Sequence, residues 1–492
     1  MTTNTTTPAA AAGPTLPAGR ARKASGPGEN STLTLLVLLA GIFIAILDFF
    51  IVNVALPATQ HDLHTGSATV QWIVAGYGIA LAAGLVTGGR IGDLVGRKRV
   101  YLLGLALFTL ASAACGLAPD AAALIAARLA QGLSAALLMP QVLALINVAF
   151  TGAHRVRAYT GYGLALGLAA VFGQLIGGAL IQANVAGLGW RSIYWINVPI
   201  GLVTLLLAVR AVPVPERHPR VRLDLAGAGL LSAALVALIL PLVDGRQAGW
   251  PVWTWCSLAA VPVLLAVFFG YQRRLAAHGG APLLDPALFG DRAFSAGLSV
   301  ALVYSQAMAS YFFVLALYLQ SGRGMTPLSS GVLFTGVGGA YLATSLVSGR
   351  WAARLGRQVL ALGTCVQGAG YAVLSVSVHW FGHGHSVLCL LPAMIVIGGG
   401  MGLTLAPMSG TVLAGVEPRN AAAAAGLLAT MQQVGGALGV AVVGMVFFAL
   451  VGTAPTPATF DRGFGGVLDV LAGICLATAG LVQLLPRRGP KA

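Results

Sequence analysis

The sequence predicts an all-α polytopic membrane protein. Three observations carry that reading: charged residues make up 8% of the 492-residue chain, hydrophobic residues make up 57%, and long uncharged runs separate the charges. A soluble domain needs about 25% charged residues to cover its surface. A helix needs about 20 apolar residues to cross a bilayer. The runs are too long and continuous for the ~10-residue alternating strands of a membrane barrel.

The first span is placed at 33–56, interrupted by Asp48 alone; 70–93 precedes a Gly- and Arg-rich turn, and 100–117 follows it. The gap from Arg128 to Arg155 gives 121–149, and that from Arg157 to Arg191 gives 157–183. Spans 194–212 and 223–243 flank a basic loop. Arg246 to Arg273 gives 252–271, Arg292 to Arg323 gives 294–319, and Arg323 to Arg350 gives 327–352. The longer gap from Arg357 to Glu417 holds two, 358–377 and 387–413, broken at His379-Trp-Phe-Gly-His-Gly-His385; 421–450 and 465–485 complete fourteen helices.

The positive-inside rule orients them. With both termini cytoplasmic, 23 of the 28 basic residues fall inside, four (Arg191, Arg246, Arg323, Arg462) fall outside, and Arg128 lies within a helix. A missed helix would scramble this alternation. The net charge of +15 is therefore an orienting bias, and no nucleic-acid partner is expected. Residues 1–32, rich in Thr, Ala, Pro and Gly, read as a disordered cytoplasmic tail. They lack a secretory cleavage pattern, which leaves the first helix as an uncleaved signal anchor. A six-helix bundle over 33–212, a linker with two extra helices over 213–293, a second bundle over 294–486 and a short cytoplasmic tail at 487–492 follow.

No cofactor or metal is expected. Lys23, Lys98 and Lys491 all lack the Gly-Lys-Ser/Thr context of a Walker A loop. Cys115, Cys256, Cys365, Cys389 and Cys475 are scattered without a CxxC pair, and read as buried small hydrophobes.

The chain contains a repeat. Gly89-Arg-Ile-Gly-Asp-Leu-Val-Gly-Arg97-Lys98 aligns without a gap to Gly349-Arg-Trp-Ala-Ala-Arg-Leu-Gly-Arg357-Gln358. The two follow the second and tenth helices, which correspond if helices 7 and 8 are inserted between two six-helix halves. Ala353 stands where the first copy has Asp93.

These segments resemble the major facilitator superfamily, in its fourteen-helix drug:proton antiporter branch. Gly88 to Arg99 is similar to that superfamily's cytoplasmic signature. Leu47-Asp-Phe-Phe-Ile-Val-Asn-Val-Ala-Leu-Pro57 is similar to its first-helix motif. Arg128-Leu-Ala-Gln-Gly-Leu-Ser-Ala-Ala136 is similar to its fourth-helix motif, and Trp190-Arg-Ser-Ile-Tyr-Trp-Ile-Asn-Val-Pro-Ile-Gly201 to the approach to its sixth helix. The likeness runs from about residue 33 to 486. The fifth-helix antiporter signature carries a Gly-Pro before Gly-Gly; here Gly173-Gln174-Leu-Ile-Gly177-Gly178 puts Gln174 at the proline.

The resemblance implies a proton-coupled exporter of hydrophobic or amphiphilic compounds, monomeric in the cytoplasmic membrane of a bacterium and driven by the proton motive force. Gln174 leaves a symporter or importer open. A non-transporting receptor on the same fold is the third reading, and intramembrane charges argue against it. Arg128 and Asp48 are the candidate coupling residues, since a charge at a helix centre costs about 2.5–3.5 kcal/mol even on lenient scales. Snorkelling for Arg128 and a structural role for Asp48 are the bland alternatives; Asp469 is placed at an interface near a helix start. Gly89, Arg90, Gly92, Asp93, Gly96, Arg97 and Lys98 form the implied gating loop, a charge-paired latch between bundles. Gly167, Gly173, Gly177 and Gly178 are read as close packing or, by resemblance, as the interface between halves. Asn53, Gln131, Gln174, Gln306, Tyr311, Tyr318, Met431, Gln432 and Gln433 are candidates for the substrate cavity; helical position alone leaves cavity and packing both open.

Overall fold

The computed structural model describes residues 29–214, 224–280, 282–284, 286–381, 386–414, 416, 421–452 and 454–486. The expected tails up to residue 28 and beyond 486, and basic residues such as Arg217 and Arg419, lie outside them. Among the described residues, fourteen helices are long and apolar enough to cross a membrane. They are α1 (Thr32–Asp62), α2 (Ser67–Val95), α3 (Arg97–Leu117), α4 (Ala121–Ala149), α5 (Arg157–Ala183), α6 (Gly189–Ala211) and α7 (Leu225–Asp244). There follow α8 (Val252–Ala277), α9 (Arg292–Gly322), α10 (Pro327–Leu355), α11 (Gln358–Trp380), α12 (Val387–Leu413), α13 (Ala424–Val451) and α14 (Pro457–Val482). No strand occurs among the described residues.

Side chains at the starts of several helices accept orphan backbone N–H groups. Asp120 accepts from Ala123 (2.8 Å), Asp224 from Gly227 (2.7 Å) and Asp291 from Ala293 (2.8 Å). Thr456 and Thr459 form a capping box before Pro457, so α14 begins there rather than at 465. The polar first turn hides this start from a reading by apolar runs. As a result Asp469 is exposed on the middle of α14, not near its start. The α2–α3 and α10–α11 turns reverse at Gly96 (φ 109°) and Gly356 (φ 57°), matched positions of the two repeat copies where the backbone favours glycine.

The packing repeats as well. In the first half α2 packs on α4, α3 on α4, α1 on α5 and α6, and α3 on α6. In the second, α10 packs on α12, α11 on α12, α9 on α13 and α14, and α11 on α14. Each pair is its counterpart's image with eight added to the helix number. Two six-helix bundles follow, and they meet along α5/α10 and α2/α13, again a related pair. Helix α7 packs on both α2 and α13, straddling that junction, and α8 packs on α7.

Hydrogen bonds join the starts of odd-numbered helices to the ends of even-numbered ones. Thr34 bonds the Ala211 carbonyl (2.7 Å), Lys98 that of Val209 (2.7 Å), and Arg357 that of Gln483 (2.7 Å). This face, where α1 begins, is the tail face; the opposite one is distal. In the distal half the bundles are in backbone contact. A Cβ on Gly331 would lie 2.6 Å from the Gln174 carbonyl, and one on Gly178 2.8 Å from Leu328 Cα. Phe50 of α1 meets Phe312 of α9 (5.3 Å between centroids), which stacks on Phe334 of α10 (5.8 Å). Gln320 donates to the Val54 carbonyl across the junction (2.8 Å). Tailward of Gly167, which touches Leu342, Gly163 of α5 and Gly349 of α10 face open space.

The cysteine expectation is corrected in part. All five are free, and Cys115 and Cys475 are buried, but Cys256, Cys365 and Cys389 are exposed. On a membrane helix an apolar side chain has lipid as an alternative to the core, so apolar context does not fix burial.

Candidate functional site

Helical spacing gathers polar side chains inside the N-terminal bundle. Arg128 and Gln131 are three residues apart on α4, as are Ser112 and Cys115 on α3, and Tyr194 and Asn197 on α6; each pair therefore shares a helix face. These faces converge on Asp48 of α1. Asp48, Ser112, Arg128, Gln131, Tyr194 and Asn197 are all 0% exposed.

The guanidinium Nη1 of Arg128 donates to Asp48 Oδ2 at 2.5 Å and to Gln131 Oε1 at 2.7 Å, while Nε donates to the Ile73 carbonyl at 3.0 Å. Gln131 Nε2 donates to Asp48 Oδ1 (2.8 Å), and Asn197 Nδ2 donates to the same oxygen (2.9 Å). Asn197 also donates to Ser112 Oγ (3.0 Å), which donates to the Tyr194 carbonyl (2.9 Å). The Tyr77 ring lies 4.4 Å from the guanidinium carbon, a cation–π contact. Asp48 and Arg128 thus form a desolvated ion pair held by two side-chain amides and the Ile73 carbonyl, with Arg128 Nη2 buried and without a hydrogen-bond partner. In such an environment losing one partner strands a buried charge, and the contacts of the pair reach side chains or carbonyls on α1, α2, α3, α4 and α6.

The structure brings together Asp48, Arg128 and Gln131 as one site; Gln131, read from sequence as a cavity residue, is sealed inside it. Asn197, Ser112, Tyr77 and Tyr194 were missed. Asn197 lay in view, an amide in an apolar run within the Trp190–Gly201 segment.

Of the other cavity candidates, Asn53, Gln174, Tyr311 and Tyr318 are buried, and do not line open space. Asn53 bonds the Phe50 carbonyl of its own helix (3.1 Å). Gln174 lies at the α5/α10 crossing with both amide atoms buried and unpartnered. Tyr311 packs on Tyr371 (5.1 Å) in the second bundle, and Tyr318 stacks on Phe464 (4.2 Å) and donates to Asp461 (2.9 Å). Period 3.6 shows which residues share a face, but not what opposes it. Gln306, Met431, Gln432 and Gln433 remain partly exposed. A cavity of about 740 Å³ opens on the distal face, remote from Asp48, lined by Gln60, Arg246, Phe448 and Phe460 among others.

Among the described residues, the expected gating loop contacts its own bundle and the linker that carries the two extra helices. Asp93 pairs with Arg97 (3.0 Å), Arg97 reaches the Ala144 carbonyl of α4 (3.4 Å), and Arg90 donates to the Pro282 carbonyl after α8. Gly88 and Gly92 press α2 onto α4, where Gln141 Nε2 donates to the Gly88 carbonyl (2.9 Å); Gly89 faces Pro140. Among the described residues, the Asp93–Arg97 pair lies inside one bundle. The α5 glycines divide similarly: Gly167 and Gly178 face α10, whereas Gly173 and Gly177 face Phe50 and Ile51 of α1.

The second bundle holds an uncharged counterpart on α9 and α11, the helices equivalent to α1 and α3. Tyr304 donates to Gln367 Oε1 (3.1 Å) and Gln367 Nε2 donates to Tyr371 Oη (2.8 Å).

A sequence profile of the Major Facilitator Superfamily matches residues 38–440. The chain belongs to that superfamily. Among its relatives are a probable actinorhodin transporter of Streptomyces coelicolor, 35% identical over 83% of this chain and 73% of the relative, and a cephamycin export protein of Amycolatopsis lactamdurans, 34% identical over 95% of each. A puromycin resistance protein of Streptomyces alboniger is 34% identical over 83% of this chain and 80% of the relative. A crystal structure of a peptide transporter shares the fold at a TM-score of 0.66, with 17% identity over 92% of this chain and 95% of that one. As a major facilitator, the protein is a multi-pass membrane transporter and not an enzyme.

Proposed function

We propose that the protein is a drug or secondary-metabolite:proton antiporter, exporting hydrophobic or amphiphilic compounds from a bacterium by alternating access. It acts as a monomer in the plasma membrane, with the tail face cytoplasmic. The observation that carries the reading is the sealed Asp48–Arg128 pair, a protonatable carboxylate held against a fixed cation inside one moving bundle. Relatives named for antibiotic export and resistance support the direction of transport. The 23-to-4 distribution of basic residues supports the orientation. The proton motive force suffices as driving force, since each charge crossing 100 mV is worth about 2.3 kcal/mol.

The test uses inverted membrane vesicles with an imposed proton gradient. Adding an exported compound, found by screening toxicity in cells with and without the protein, should release lumenal protons. Asp48→Asn and Arg128→Ala should each abolish that release. If both leave it intact, the coupling assignment fails.

A further inference from the structure

Two amides donate to one oxygen of Asp48, and they are not equivalent. The carbonyl oxygen of Gln131 is occupied, accepting from Arg128 Nη1 at 2.7 Å and from the Cys115 thiol at 3.6 Å. Turning that amide over would set its NH2 against the N–H groups of the guanidinium, donor against donor. Asn197 has no such lock. Its Oδ1 is buried without a hydrogen-bond partner, while its two N–H groups go to Asp48 Oδ1 and Ser112 Oγ.

An ionised carboxylate needs donors around it; a protonated carboxyl also needs an acceptor for its O–H. Arg128 on α4 holds Oδ2 with a fixed cation, whereas both donors on Oδ1 are neutral amides, so Oδ1 is the oxygen at which a donor can give way to a proton. The other ionisable groups within electrostatic reach are Tyr77 on α2, Cys115 on α3 and Tyr194 on α6. We propose that Asn197 is the amide that turns over when Asp48 takes up a proton, making it a positioning residue for the coupling step. The inference rests on Asp48 as the proton carrier.

A half-turn about Cβ–Cγ exchanges Asn197 Oδ1 and Nδ2. Oδ1 then accepts the carboxyl O–H, and the Ser112 hydroxyl swings from the Tyr194 carbonyl to the same oxygen. The proton stays on Asp48 and no covalent bond breaks. The Tyr194 carbonyl, in the first turns of α6, loses its hydrogen bond from Ser112, so the protonation state of α1 reaches α3 and α6.

Infrared difference spectra of the purified protein in lipid vesicles, taken between alkaline and acid buffer, read the carbonyl stretch of a protonated buried carboxyl. A band that Asp48→Asn removes is expected. Asn197→Leu should keep that band and move it to higher wavenumber, because the O–H has lost its acceptor; Gln131→Leu should move it less. Asn197→Ala carries the same expectation if the leucine variant does not fold. An unmoved band in the Asn197 variants, or a larger movement in Gln131→Leu, overturns the role of Asn197. If no band depends on Asp48, the reading of Asp48 as proton carrier fails instead.

Discussion

Asp48 and Arg128, buried and paired, bear on the stability of the protein. Removing one partner of such a pair typically costs about 3–5 kcal/mol, because the other charge stays buried. Arg128→Met and Asp48→Leu should therefore each destabilise the protein on that scale, and the double variant should lose clearly less than the two losses added. Reversible unfolding in mixed micelles measures the cycle. Strict additivity would mean that the two charges do not interact. The same energetics explain what could be read beforehand. A charge amid apolar residues is expensive and rare, so Asp48 and Arg128 stand out in the sequence. Asn197 and Ser112 are cheap to bury once hydrogen-bonded, and many amides and hydroxyls that do nothing comparable share their context. Only the fold selects among them.

Helices were legible through the same contrast, since long uncharged runs admit one interpretation; their ends and neighbours were not. The capping box at Thr456 moved a helix start, and the facing of the α5 glycines depended on which helix lay opposite. That dependence gives a paired prediction. Gly331 of α10 lies against the α5 backbone, so Gly331→Ala overpacks the distal junction and should cost about 1–3 kcal/mol, with slowed transport. Gly163 of α5 faces open space. Gly163→Ala should be neutral, or stabilising by up to ~1 kcal/mol through helix propensity. Unfolding curves of the two variants separate these outcomes. Equal effects would show that the distal junction is not the point of closest approach.

At the scale of the whole molecule, the two extra helices are fixed to the first bundle at a polar point. Asp224, at the start of α7, accepts from Gln272 Nε2 (2.6 Å), the backbone N–H groups of Gly227 (2.7 Å) and Leu283 (3.1 Å), and Tyr271 Oη (3.0 Å). Arg90, near the end of α2, donates to the adjacent Pro282 carbonyl, so one clasp joins α7, the chain after α8 and the end of α2. Burial by itself would raise the Asp224 carboxyl, but these hydrogen bonds outweigh it and hold the group below its ordinary value. A carboxyl depressed in the folded state stabilises above its unfolded value of about 3.9, and that contribution drains away as pH falls through the folded value. Asp224→Ala should thus lower stability at neutral pH by about 1.5–3 kcal/mol, the scale of hydrogen bonds to a charged group. The gap between the two proteins should then narrow as the solution is acidified below that unfolded value. Unfolding in detergent across this pH range reads the gap directly. A gap that persists at acid pH would mean that the clasp does not depend on the carboxylate's charge, and that packing around Gly227 and Gln272 holds the extra helices in place.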